Sequence, residues 1–203
     1  MYTPTGMQMT NQHTITDFVR QFGFATLITT DLQASHLPLT LVSQEGAHGV
    51  LYGHLAKANA QTKKLDRQPV LVSFLGPHAY ISPNWYQQKP AVPTWNYAAV
   101  HAYGVAELLD DDATAQAMTD LLTQYEPALL QDQSVLPASF RKKLQTAVVG
   151  FRIVVTEWQG KEKLGQHRPS GDQLGVYTAL QNSLNADARA LASYMTGRNL
   201  GIG

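Results

Sequence analysis

The segment from Gly53 to Asn59 combines residue types that bind phosphate groups. It places His54, Lys57 and Asn59 at a predicted junction between a strand and a helix. Backbone N–H groups at the start of a helix attract anions, and a neighbouring lysine or amide strengthens that attraction. The spacing is therefore typical of a phosphate site. A solvated helix with a capping histidine explains the same residues, and both interpretations stay open.

A second segment with side chains suited to ligand binding is Thr94-Trp95-Asn96-Tyr97, which supplies an indole, an amide and a phenol within four residues. On a strand, Trp95 and Tyr97 would share one face while Thr94 and Asn96 share the other. Asn96, between two aromatic residues, has the chemistry to recognise the edge of a heterocycle. Packing and turn formation are the ordinary explanation for such a cluster.

Residues 161–169 form the densest polar stretch and follow a predicted strand. A polar loop in this place either clamps an anion or is simply solvated. His36 precedes Pro38 at the entry to another predicted strand, where a histidine most often has a structural hydrogen-bonding role.

Composition excludes several kinds of chemistry. The chain has no cysteine, so disulfides, thiolate metal sites and a cysteine nucleophile are absent. The seven histidines lack the spacings of metal-binding motifs, so we expect no metal site. The 15 basic residues balance 15 acidic ones, which argues against strongly electrostatic DNA binding. The start of the chain lacks the features of a signal peptide, and no apolar run reaches the ~18 residues of a membrane span. We therefore predict a soluble, cytoplasmic protein.

Local patterns predict the elements that position these residues. The predicted strands are residues 24–30, 37–42, 50–54, 70–74, 79–82, 95–108 and 148–158. The predicted helices are residues 15–22, 56–65, 113–125, 137–147, 173–182 and 186–196. We expect Thr14, the run Asp110-Asp111-Asp112 and Asn185 to cap helices, Gly76-Pro77 and Gln159-Gly160 to interrupt strands, and Gly197 to end the last helix.

This order of elements predicts a mainly β protein with peripheral helices. Residues 24–54 contain three consecutive strands, which is typical of antiparallel sheets and disfavours a doubly wound parallel fold. We predict an antiparallel barrel, closed or nearly closed, of about six or seven strands with four to six helices around it. The chain is expected to form a single domain, 1–203, with C-terminal helices at about 173–197.

Several motifs together resemble one known family. The motifs are Met1-Tyr2-Thr3-Pro4, Gly53-His54-Leu55-Ala56, Gly76-Pro77-His78-Ala79-Tyr80-Ile81-Ser82-Pro83, Val92-Pro93-Thr94-Trp95-Asn96-Tyr97, Gly150-Phe151 and Lys163-Leu164 with Gln166 and Arg168-Pro169. They resemble the PaiB-like family of FMN-binding negative transcriptional regulators, which have the FMN-binding split-barrel fold. The two central motifs are long and unusual in composition, and the likeness spans roughly residues 1–175.

The resemblance implies a homodimer that binds FMN at the subunit interface. The cofactor-binding residues that it implies lie toward the phosphate (His54, Lys57 and Asn59), toward the ring (Trp95 and Asn96) and along a polar rim (Lys163, Gln166 and Arg168). His36 is a further candidate, on the condition that it faces the ring. No residue is identified as catalytic.

The function implied by the resemblance is flavin-responsive repression of gene expression. Direct contact with DNA is not favoured by the charge balance, although residues 173–182 and 186–196 are close enough to be considered as a helix pair. Two alternatives remain. One is a small FMN-dependent oxidoreductase of the split-barrel class, and the other is a dimeric binding protein without a cofactor.

Overall fold

The computed structural model describes residues 1–203, which form eight strands and five α-helices. The strands are β1 (Gln8–Met9), β2 (Phe24–Thr29), β3 (Ala34–Pro38), β4 (Thr40–Val42), β5 (Val50–Ala56), β6 (Gln68–Ile81), β7 (Thr94–Leu108) and β8 (Val148–Lys163). The α-helices are α1 (Gln12–Gln21), α2 (Asp111–Tyr125), α3 (Ala138–Gln145), α4 (Ser170–Gln181) and α5 (Ala186–Arg198).

One sheet contains all the strands. Its main path runs β3-β2-β6-β7-β8-β5-β4, and β1 pairs with β8 off this path. The pairs β2–β3, β2–β6, β4–β5, β5–β8 and β1–β8 are antiparallel. The predicted fold class, a mainly β antiparallel split barrel with flanking helices, is confirmed.

The predicted single strand 37–42 is in fact two strands that pair with different partners. Leu39 separates β3 from β4, and its backbone N–H donates to Gly23 O at 2.9 Å. β3 pairs with β2, whereas β4 pairs with β5. Because β3 and β4 stand at the two ends of the strand path, the fully buried Leu39 connects the ends of the sheet.

Two predicted interruptions of strands are wrong. β6 continues through Gly76-Pro77, where the buried positions change from even to odd residue numbers. A proline within a strand is tolerated where the regular alternation is locally shifted. β8 likewise continues through Gly160 to Lys163. A Cβ added at Gly160 would come within 2.7 Å of the Met9 Cβ, so the glycine permits the close approach of β1 rather than a turn.

Some helix boundaries also differ from the prediction. α1 begins before Thr14, and the side chain of Asn11 accepts a hydrogen bond from His13 N at 2.8 Å. The predicted helix 56–65 is absent, because only a 3₁₀ turn, Ala60–Lys64, forms there. α5 continues through Gly197 and ends at Asn199, which adopts the left-handed conformation.

The predicted caps of two other helices are confirmed. Asp110 accepts a hydrogen bond from Ala113 N at 2.8 Å at the start of α2. Asn185 accepts from Asp187 N at 2.7 Å at the start of α5.

The chain forms two compact units. Unit 1 contains residues 1–14, 75–100 and 159–203, and unit 2 contains residues 15–74 and 101–158. The core of unit 1 packs α4 and α5 against the end of β6, with Ile81, Leu164, Leu180, Leu191 and Met195 buried at its centre. The core of unit 2 buries the inward face of its strands, including Leu27, Leu51, Phe74, Phe151 and Ile153. The single domain 1–203 stays a prediction.

Candidate functional site

The sequence-predicted site residues fall into two sets, one in each unit. Unit 2 contains His36, His54, Lys57 and Asn59. Unit 1 contains Trp95, Asn96, Lys163, Gln166 and Arg168.

An exposed aromatic surface lies where β6 and β7 run side by side in unit 1. The side chain of Trp95 is 53% exposed, and its ring lies edge-on to Tyr80 at a centroid distance of 6.2 Å. The His78 imidazole lies 6.3 Å from the same indole. We call Trp95, Tyr80, His78 and the adjacent Lys163 the Trp95 corner. Exposed aromatic rings in this arrangement provide a stacking surface for a flat ligand.

Lys163, the last residue of β8, is held against this corner by two hydrogen bonds. Its Nζ donates to Thr94 Oγ1 at 2.5 Å and to Trp95 O at 2.9 Å. Partial burial, together with the positive charges of Lys161 and Arg168, lowers the pKa of Lys163 below the usual lysine value. An ammonium group has three donors. The two bonds therefore leave one donor available to a ligand beside the exposed indole.

Asn96 lies on the opposite face of β7 from Trp95 and is buried. Its amide is covered by the loop after β8, because a Cβ added at Gly165 would lie 3.5 Å from Asn96 Nδ2. Gly165 has φ +82°, a conformation that favours glycine. The strand therefore separates the two predicted ring contacts, and only Trp95 is presented at the corner.

The other two rim residues have largely structural partners. The Gln166 side chain accepts from Leu164 N at 2.8 Å and donates to Gly6 O at 3.0 Å and Glu162 O at 2.6 Å. These contacts tie the N-terminal segment to the loop after β8. The Arg168 guanidinium stacks over the Tyr86 ring at 4.7 Å, a cation–π contact that leaves its charge near Lys163.

In unit 2, His36 and Asn59 lie near neighbouring positions of β3. His36 Nδ1 is 2.9 Å from Thr26 Oγ1, and the His36 ring is exposed. Asn59 Nδ2 donates to Ser35 Oγ at 2.9 Å, and Asn59 Oδ1 accepts from Gln61 N. The structure thus brings His36 and Asn59 to one edge of the sheet through β3.

The phosphate site predicted near Lys57 lacks the helix whose N-terminal N–H groups were expected to bind the phosphate. The N–H of Lys57 donates to Ala147 O at 2.9 Å, and the N–H of Asn59 donates to Ala56 O at 2.9 Å. The side chain of Lys57 remains exposed and free to meet an anion as a point charge. His54 does not join this group, because it lines an apolar cavity formed with α2 and α3.

A buried ionic cluster in unit 1 was missed by the sequence analysis. Glu162 is only 3% exposed and accepts from Arg198 Nε at 2.7 Å and from Tyr194 Oη at 2.7 Å. Burial and the adjacent Glu162 carboxylate raise the pKa of Tyr194 above the usual tyrosine range. Neighbouring Lys161 is also buried and donates to Tyr2 O at 2.9 Å. The stretch 161–163 is therefore strand, and its first two charged side chains are part of the folded interior.

The Trp95 corner suits the ring of a flavin better than it suits a purely hydrophilic ligand. The exposed indole offers a face for stacking, and the remaining Lys163 donor fits a ring carbonyl or nitrogen. The sequence does not predict His78 or Tyr80 as a cofactor contact. The motif Gly76-Pro77-His78-Ala79-Tyr80 contains both residues. Their position beside Trp95 follows only if the strand continues through Pro77, as β6 does.

Comparison with known proteins gives matches in both sequence and fold. The family model described as "Putative FMN-binding domain" matches residues 1–157. The protein named protease synthase and sporulation protein PAI 2, from Bacillus subtilis, is 39% identical over 203 residues, which covers 96% of each chain. The PaiB-like resemblance is thereby confirmed.

Solved structures with this fold include proteins described as flavin-binding. The FAD and heme binding protein from Mycobacterium smegmatis aligns with a TM-score of 0.59 at 18% identity, covering 78% of this chain and 74% of that one. The flavocytochrome Anf3 from Azotobacter vinelandii aligns with a TM-score of 0.53 at 15% identity, covering 79% and 71%. At these identities the likeness establishes the fold.

Proposed function

Because the chain belongs to the family of putative FMN-binding domains, we propose that it is an FMN-binding regulator that represses gene expression. The observation that carries this proposal is the 39% identity with PAI 2, which extends over 96% of both chains. The name of that relative refers to protease synthesis and sporulation, which are processes under genetic control. Regulation through FMN gives the cofactor a role without requiring a catalytic acid or base.

The residues proposed to hold FMN begin with the Trp95 corner. Trp95 stacks on the ring, and Lys163 donates to a polar atom at the ring edge. Arg168 adds positive charge to the rim, while Gln166 and Asn96 fix the loop and the strand that carry these groups. Lys57 and Asn59 stay predictions toward the ribityl phosphate from the sequence motif, as His36 does toward the ring, whereas His54 lines the apolar cavity beside α2 and α3 and is not assigned to FMN. When bound, FMN supplies visible absorption and redox chemistry, while the protein binds and orients it.

A homodimer is part of the same proposal. Leu75, Tyr80, Val92 and Trp95 are large apolar side chains of unit 1 that are about half exposed or more. The Tyr80 and Trp95 rings among them lie 6.2 Å apart, and exposed apolar groups close together are typical of interaction surfaces. A second subunit over this surface would shield a flavin stacked on Trp95. Light scattering should give twice the mass of the chain, and a stable monomer at working concentration would exclude this arrangement.

Titration of the purified protein with FMN tests the cofactor proposal. We expect a shifted flavin absorption band and quenched flavin fluorescence. The Trp95→Ala variant should bind about tenfold more weakly, since stacking of a heterocycle on an aromatic side chain contributes ~1–3 kcal/mol. Phe140→Ala is the matched control, because Phe140 is an aromatic residue of similar exposure outside the corner. No binding at high micromolar FMN would leave the cofactor-free alternative.

Regulation is tested separately from cofactor binding. Deletion of the gene that encodes the chain should raise transcription of its targets, and a Trp95→Ala allele should reproduce that change if FMN is required. If the FMN complex instead turns over a reduced nicotinamide rapidly and transcription is unchanged, the oxidoreductase alternative replaces the proposal.

No helix is long and apolar enough to cross a membrane. Cytoplasmic location stays a prediction.

A further inference from the structure

An apolar cavity in unit 2 has no part in the proposed FMN site. It has a volume of about 450 Å³, within the range of small-molecule sites. α2, α3 and the segment between them supply most of its walls, with an apolar lining that includes Met118, Leu121, Leu122, Leu136 and Leu144. None of the lining residues belongs to the Trp95 corner.

The charged groups of this cavity all favour a negatively charged ligand. The charged lining residues are Arg141 and Lys142, and the lining contains no aspartate or glutamate. Asp111 and Asp112 line an adjoining surface cavity, and Lys142 borders both cavities together with Ala115 and Gln145. Arg141 therefore gives this cavity its particular charge.

Arg141 also has an unfilled hydrogen-bonding position. Its Nε is buried and has no hydrogen-bond partner. A buried donor without an acceptor is costly, and such groups in folded proteins usually have a partner or a ligand. A carboxylate oxygen at this position would satisfy the donor and neutralise the charge.

The shape and chemistry together specify an amphiphile. The lining residues of α2 extend from Ala115 to Leu122, which is about 10 Å at ~1.5 Å per residue. We propose that this cavity binds a medium-chain acyl carboxylate, with its hydrocarbon chain among the leucines and its carboxylate at Arg141. The chain would thus sense a second small molecule through a site independent of FMN.

Calorimetric titration of the full-length protein with decanoate tests this proposal. We expect one decanoate per chain, with decan-1-ol and decyltrimethylammonium binding at least about tenfold more weakly because they lack the carboxylate. Arg141→Gln should weaken decanoate binding by about tenfold or more, since hydrogen bonds to charged groups are the stronger class. Lys143→Gln is the matched control, because Lys143 is a neighbouring exposed cation of α3 outside the lining.

A second pair of variants tests the location without removing a charge. Ala138 lines the cavity but is exposed, so Ala138→Trp should fill part of the space with little effect on folding and should abolish decanoate binding. Ser139→Trp, at the adjacent exposed position outside the lining, should bind normally. FMN titration of both variants should match the wild type. Undetectable decanoate binding at millimolar concentration, equal binding of the three amphiphiles, or equal effects within either pair of variants would overturn the proposal.

Discussion

Lys163 shows how a single side chain can be prepared for a ligand. Its ammonium group is bonded to Thr94 and Trp95 and is partly desolvated, so its pKa is lowered, mainly by burial. An electron-rich ligand atom stabilises a partly desolvated ammonium group more than it stabilises the ammonium group of a fully solvated lysine. The two hydrogen bonds and the partial burial make Lys163 the strongest candidate for a polar contact with the cofactor beside the exposed indole.

Replacing Lys163 with Gln should weaken FMN binding by about tenfold, because a charge-assisted hydrogen bond contributes ~1.5–3 kcal/mol and this site is partly exposed. Fluorescence titration measures the change. Lys64→Gln serves as the control, since Lys64 forms only an exposed ion pair with Asp31. Equal affinity of the two variants would remove Lys163 from the cofactor site.

The Glu162 cluster is a stability feature rather than a ligand site. Replacing Arg198 with Met should lower the free energy of unfolding by about 3 kcal/mol, because it leaves a buried carboxylate without its cationic partner. Urea denaturation measures this loss. Arg189→Met on the same helix is the control, since Arg189 forms only an exposed bond to Ser183 O and should cost under ~1 kcal/mol. A loss no greater than the control's would show that the ion pair is dispensable.

At the scale of single residues, the sequence identified groups by type but not by their direction. The sequence predicts both Trp95 and Asn96 as site residues, and the alternation along β7 correctly assigns them to opposite faces. The burial of Glu162 was not predictable, because it depends on β8 continuing past Gly160 and on α5 packing nearby. The local secondary-structure propensity of these residues predicts neither the continuation of β8 nor the packing of α5.

At the scale of elements, glycine has different roles in helices and in packed strands. Gly197 lies within α5, and a Cβ added there would meet nothing within 4 Å. Gly150 lies in β8, where an added Cβ would overlap the buried Thr114 side chain of α2. The same change to alanine should therefore have opposite effects at these two positions.

We expect Gly197→Ala to raise the free energy of unfolding by about 0.5–1 kcal/mol, the usual gain of alanine over glycine inside a helix. Gly150→Ala should instead lower it by about 1–3 kcal/mol, because α2 must shift away from the strand. Parallel urea titrations of the two variants measure both changes. Stabilisation by both substitutions would mean that α2 does not pack tightly on β8.

Elements with continuous patterns were the predictable ones. β7 and α2 were expected nearly within their observed bounds, since alternation and an aspartate cap respectively define them. β6 and β8 were predicted too short, because Pro77 and Gly160 are usually breakers. Each is tolerated here for a tertiary reason: a shift in the alternation of β6, and the close approach of β1 to β8.

At the scale of the whole molecule, one residue determines the connection of the sheet. Leu39 separates β3 from β4, which pair at the two ends of the strand order. The sequence 37–42 is apolar enough to form one strand, and only its long-range partners divide it. The barrel class was therefore predictable from the number and spacing of strands, whereas the point that joins the ends of the sheet was not.

Two half-buried histidines of unit 2 contribute to the pH dependence of folding. Burial lowers the pKa of His54 and of His101 below the ordinary histidine value, and His101 Nδ1 is buried without a hydrogen-bond partner. The unfolded chain therefore takes up protons on these residues at a pH where the folded chain does not. Stability rises with pH wherever the unfolded state binds more protons, so it should fall as the pH drops through about 6.5.

Urea titrations between roughly pH 7.5 and pH 5.5, above the range in which most carboxylates titrate, measure this dependence. The wild type should lose stability toward the lower pH, and the His54→Gln, His101→Gln double variant should lose less over the same interval. His48→Gln is the control, because His48 is an exposed histidine of the same unit. A slope that is the same in the double variant and the control would mean that burial of these two imidazoles does not govern the response. A flattened slope confined to the double variant would assign the acid sensitivity of the fold to the interior of unit 2, where both histidines lie.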